Sequence, residues 1–268
     1  MNRPTPLRPT PVYRRALEGR VHVFDATPVP WHDTSNPGLK LKLIRDDDAR
    51  GEFLGLVRFE PFTRSGLHQH RGVATSFVLV GGLTDHHGSV RLHEVGINVF
   101  GSTHDAMAYE PVVLVSRLEG PVLYPPNDGI SGVHAGSRHG DFRNPNPDVP
   151  PEINVATDAV TGFATGAPGV VRQTLFDYAG TGSAHRMVQL TLRAETALPA
   201  FEASHWTEFW VRGGEVLVNG QRAWANCFVI VEPGARVELS SPFGSLLLGW
   251  AEGRERWNGG EAIDLFGF

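Results

Sequence analysis

The sequence predicts an all-β chain built as two tandem barrels. Three observations lead there: apolar runs too short for ordinary helices, turn-forming residues between them, and an internal repeat with an offset of 131 to 133 residues.

The apolar runs at 54–59, 76–80, 111–115, 187–192, 208–211, 228–231 and 245–250 are rich in β-branched and aromatic residues. Gly, Pro, Asn and Asp clusters separate them at the spacing of sandwiches and barrels. The 31 Gly and 20 Pro carry no short period and read as frequent tight turns. One short segment, 12–17, is a helical candidate. The repeat rests on four landmarks. Pro37-Gly38-Leu39 matches Pro168-Gly169-Val170, and the strand-ending Gly81 matches Gly213. Phe100–His104 matches Pro233–Val237 in position, and Val113-Leu114-Val115 matches Leu246-Leu247-Leu248. The organisation expected from it is an N-terminal arm over 1–30, a first barrel over 31–125, a Pro-rich linker over 126–165 and a second barrel over 166–268.

Composition narrows the function. At 268 residues, 41% hydrophobic and 20% charged, the chain can bury substantial cores. A net charge of −5 with interspersed signs gives no basic footprint, so neither nucleic acid nor an anionic membrane is an expected partner. No apolar run is long enough to span a bilayer, and the Pro-rich start has no signal-peptide core, so a cytoplasmic location is expected. The single cysteine, Cys227, rules out an internal disulfide framework and multi-cysteine zinc sites.

The chemistry then falls to the 12 histidines. In an extended chain residues two apart share a face, so His68 and His70 can reach one ion while Gln69 points away. A third histidine, His104, follows Gly101-Ser102-Thr103. Gly66-Leu67-His68-Gln69-His70, followed by Val78-Leu79-Val80-Gly81, resembles the first motif of the cupin superfamily. Asn98-Val99-Phe100-Gly101-Ser102-Thr103-His104 resembles the second. Upstream, Val29-Pro30-Trp31, Pro37-Gly38 and Leu56-Val57-Arg58-Phe59 are similar to the entry strands of ChrR-like cupins.

That resemblance implies two cupin (double-stranded β-helix, jelly-roll) barrels, a bicupin, and one divalent metal held by His68, His70 and His104. It is similar to acetylacetone dioxygenase and 2,4′-dihydroxyacetophenone dioxygenase, which implies Fe(II) ahead of Zn. The implied activity is oxidative cleavage of a carbon–carbon bond in a small carbonyl compound such as a diketone or acylphenol. The Glu that cupins usually carry after the second histidine is missing from Val73-Ala74-Thr75-Ser76. His86 and His87, in the following hairpin, are the candidates for a fourth donor. Arg58, Phe59, Phe77, Phe100, Met107 and Tyr109 are the expected substrate-pocket residues, and a homodimer is the assembly the resemblance implies. Two other readings stand beside the dioxygenase: a non-catalytic metal- or ligand-binding cupin of the ChrR regulatory type, and a zinc-dependent isomerase or hydrolase with Glu110 or Asp105 as base.

With the repeat offset applied, His68 falls on Ala200 or Phe201, His70 on Glu202 or Ala203, and His104 on Val237. The second barrel is therefore expected to bind no metal at these positions and to act as a scaffold.

Overall fold

The computed structural model describes residues 20–47, 49–85, 88–124, 152–178, 181, 183–258 and 263–268. Strands dominate, and a 3-10 turn at Thr157–Ala159 is the one helical element among the described residues. The helical candidate at 12–17 lies outside them. The chain divides into two compact units.

The first unit lies within Pro30–Ala156. Its large antiparallel sheet runs in the order Glu152–Ala156, Glu94–Asn98, Ala74–Val80, Val112–Glu119, Glu52–Phe59, Leu39–Asp47, His32–Asp33. Two smaller sheets complete the unit. One holds Thr103–His104, His68–His70 and Val122–Leu123. The other holds Thr63–Arg64, Met107–Ala108, Leu83–Asp85 and Gly88–Val90. The β period of two decides which residues face inward. Phe59, Val78, Val112 and Leu114 of the large sheet pack with Leu83, Val90, Ala106 and Ala108 of the smaller one. That apolar cluster marks the interior and fills the end of it nearest Thr63 and Ala108.

The second unit comprises Thr157–Phe268 and the strand Val21–Asp25. It repeats the first in strand order, with the equivalents of Ala74–Val80 and Leu83–Asp85 joined in the single strand Thr207–Val218. Ser76 lies opposite Gly96 and Ser116, just as Phe209 lies opposite Val229 and Gly249. His68 lies opposite His104 as Phe201 does opposite Val237. Each of these equivalences has an offset of 133, and even unusual backbone angles repeat. Phe62 and Glu195 have φ of 60° and 61°, and His93 and Asn226 have 63° and 74°. The match to Gly81 is Gly214 rather than Gly213, since Gly81 and Gly214 share a left-handed φ of 68° and 73°.

Two expectations about organisation need correction. The arm over 1–30 contains Val21–Asp25, which pairs along its length with Cys227–Val231. The linker over 126–165 ends in structure, because Glu152–Ala156 pairs with Glu94–Asn98 and Phe163–Ala164 with Val171 and Arg172. Val21 opposite Val231 and Glu152 opposite Asn98 are equivalent pairings. The strand that opens each repeat therefore completes the other repeat's sheet. Backbone hydrogen bonding explains it: each strand supplies the partner groups for what is otherwise an unpaired sheet edge.

Candidate metal centre

The strand His68–His70 lies between Thr103–His104 and Val122–Leu123. Gly72 allows that packing, since a Cβ there would lie 2.6 Å from the backbone of Glu119 and Gly120. Gln69 alternates to the other face, where it is fully buried. Its amide donates to the Gly101 carbonyl at 3.1 Å and accepts from Arg71 at 2.9 Å. That anchoring leaves His68 and His70 on one face, opposite His104.

The three imidazoles converge through their Nε2 atoms. His70 Nε2 is 3.2 Å from His68 Nε2 and 3.1 Å from His104 Nε2. All three side chains are buried. Each outer histidine is oriented from behind. The Gly66 carbonyl, which can only accept, takes the Nδ1 proton of His68 at 2.6 Å. The Asp85 carboxylate takes the Nδ1 proton of His104 at 2.8 Å. With Nδ1 protonated, Nε2 presents its lone pair inward, and a carboxylate partner raises its basicity. Burial, reinforced by His104, lowers the His68 pKa to about 3. Burial, reinforced by His68 and His104, holds His70 well below its ordinary value. Three imidazoles whose Nε2 atoms meet at one buried point fit a divalent transition metal, and the donor set suits Fe, Zn, Ni, Cu or Mn. Among the described residues no other group of metal-ligating side chains of this kind occurs.

The structure thus brings His68, His70 and His104 together. His86 and His87 lie outside the described residues. The pocket expectations divide. Phe59 belongs to the interior cluster. Phe77 alternates with Val78 onto the opposite face of its strand, where its ring stacks against His93. Arg58 alternates with Phe59 in the same way and pairs with Glu60 at 3.1 Å. Met107 lies between the interior residues Ala106 and Ala108 and so faces outward. Phe100 sits in a turn under the Arg71 guanidinium, and Tyr109 is 60% exposed. For Arg58, Phe77 and Met107 strand register, invisible in the sequence, decides which way they face, whereas Phe100 and Tyr109 lie outside the strands. Asp105 is also committed elsewhere: it accepts from the Gly66 N–H at 3.1 Å and pairs with Arg64. Glu110 is exposed.

Two residues escaped the sequence reading. Asp85 sits at the end of Leu83–Asp85, immediately before the hairpin histidines His86 and His87. Tyr124 has its ring centroid 5.7 Å from that of His68.

In the second unit the register settles the equivalents of the ligands as Phe201, Ala203 and Val237, all buried among apolar residues. Asp85 corresponds to Val218, because Thr84 opposite Met107 matches Leu217 opposite Ser240. Donors and supporting carboxylate are replaced together.

A large antiparallel sheet completed by two smaller ones, one of which carries the histidine cluster, is the arrangement of a cupin fold. Residues 20–122 match the ChrR Cupin-like domain family, a match that begins with the strand Val21–Asp25. No curated protein matches the chain in sequence. Several solved structures match its fold. A candidate dioxygenase from Nostoc punctiforme is 12% identical, covering 87% of this chain and 82% of its own, with a TM-score of 0.69. Salicylate 1,2-dioxygenase from Pseudoaminobacter salicylatoxidans, with gentisate adducts, is 15% identical over 95% of this chain and 87% of its own, at 0.63. Oxalate decarboxylase from Lactobacillus farciminis, as a formate complex, is 11% identical over 90% and 87%, at 0.59. At such identities the likeness is one of fold.

Proposed function

We propose that this chain is a metal-dependent cupin dioxygenase that binds Fe(II) through His68, His70 and His104 and cleaves a carbon–carbon bond of a small carbonyl compound. The observation that carries the reading is the convergence of three buried Nε2 atoms, two of them on imidazoles oriented by Gly66 and Asp85. Three protein donors leave coordination positions for other ligands, whereas structural zinc sites are normally closed by four. Ala74 occupies the position four residues after His70, so no carboxylate from that strand competes for them. Dioxygenases among the structures of similar fold support the same reading.

Fe(II) at this cluster supplies a Lewis acid for substrate oxygens and an electron source for O₂. The chain supplies the rest. Asp85 and Gly66 fix the ligand tautomers, and the cluster around Phe59, Val78 and Leu114 keeps water from one end of the barrel. The second barrel serves as scaffold.

The test is metal analysis of the purified protein and of His104→Ala, followed by anaerobic Fe(II) loading and O₂-uptake assays with β-diketones and acylphenols. Near-stoichiometric metal lost in the variant, with substrate-dependent O₂ consumption, is expected. Bound zinc without O₂ uptake would support the second reading, a ligand-binding module, which the ChrR Cupin-like match favours.

A further inference from the structure

The two barrels are internal controls for each other, because one interior is filled as folding alone would fill it. In the second unit Phe209, Val218, Val229, Val231, Val237 and Leu247 line one interior space. Their equivalents in the first unit are Ser76, Asp85, Gly96, Asn98, His104 and Leu114, each 133 residues earlier. Positions that enclose one space in the second barrel thus hold His104, its supporting carboxylate, and a polar wall in the first.

That wall crosses three neighbouring strands on the interior face. Asn98 lies opposite Ala74, Gly96 opposite Ser76, and Ser76 opposite Ser116. The Ser76 and Ser116 hydroxyls are 2.8 Å apart. Asn98 is 8% exposed, and its Oδ1 has no hydrogen-bond partner. A buried amide oxygen left without a donor destabilises a protein, whereas Val231 in the same place stabilises its barrel.

We propose that Asn98, Ser76 and Ser116 bind a hydroxyl group of the substrate, remote from the oxygens that chelate the metal. The inference rests on the dioxygenase reading and narrows its substrate class. A hydroxyl both donates and accepts. Asn98 Oδ1 offers an acceptor, and a serine pair that spends one proton on its internal bond keeps one to donate. Among the described residues no cation joins the wall. Lys42 and Arg117 lie opposite Leu56 and Leu54 on the outer face of the sheet, and Arg58 pairs with Glu60 there. The class is therefore a hydroxylated carbonyl compound.

Two acylphenols test this, since both chelate through an ortho hydroxyl and a carbonyl: 2′,4′-dihydroxyacetophenone and 2′-hydroxyacetophenone, which lacks the remote hydroxyl. Calorimetric titration of anaerobic, Fe(II)-loaded protein should show the dihydroxy compound binding about tenfold tighter. Asn98→Val and Ser76→Ala should bring that ratio near one, with metal content unchanged. Equal affinities in the parent, or a preference that survives both variants, would overturn the assignment of the wall alone. Metal-loaded parent protein that binds neither compound would overturn the catalytic reading and this inference together.

Discussion

Replacing Asp85 isolates what the carboxylate behind His104 contributes. Its side chain is 4% exposed, and its contact with His104 Nδ1 is 2.8 Å, so the bond is charge-assisted and shielded from water. Asp85→Asn keeps an acceptor in the same place and removes the charge. Asp85→Val removes both and installs the residue that the second barrel carries at Val218. Partners of this kind change metal affinity by about 10- to 100-fold when lost, or about 1.4 to 2.8 kcal/mol. The Asn variant is expected near the lower figure and the Val variant near the upper. Zn(II) affinity measured by competition with a chromophoric chelator reads both directly, with His104→Ala as the variant that abolishes binding. If Asp85→Val holds zinc as tightly as the parent, the carboxylate does not support the ligand and the reasoning fails.

Three further expectations follow from the same geometry. In the metal-free protein the lowered pKa values of His68 and His70 mean that stability present above pH 6.5 is lost as pH falls toward about 3, which acid denaturation followed by fluorescence will show. Glu255 behaves oppositely, because burial pushes its pKa up to about 7. Its stability contribution is complete below about pH 4.5 and lost as pH rises through 7, so Glu255→Gln should raise Tm at pH 8 and leave it unchanged at pH 4, with an upper bound of about 3 kcal/mol. Gly72→Ala places a methyl against the backbone of Glu119 and Gly120. It should cost about 1 to 3 kcal/mol in urea unfolding and weaken metal retention by displacing the strand that carries His70.

The histidine cluster was legible in the sequence because its signal is local. His-x-His fixes two donors on one face whatever surrounds them, and Gly101-Ser102-Thr103-His104 marks the turn that delivers the third. The repeat was legible too, because turn residues recur wherever the backbone needs them. The pocket was not. Phe77 and Val78 are equally apolar, and only cross-strand register decides which one meets the interior. Arg58 looked like an anion-binding group for the same reason. Asp85 needed knowledge of a partner 19 residues away in the chain. The strand Val21–Asp25 was hidden by distance, since its partners lie some 210 residues later.

That distance has a consequence for how the protein is made. Val21–Asp25 leaves the ribosome roughly 200 residues before the strand whose backbone groups it must satisfy, the fully buried Cys227–Val231. The second barrel can close only after both strands have been made, and until then an apolar strand edge stands open as a template for foreign strands. A truncation that removes the first 30 residues, harmless to the histidine cluster by position, would take away the guard strand of the other barrel.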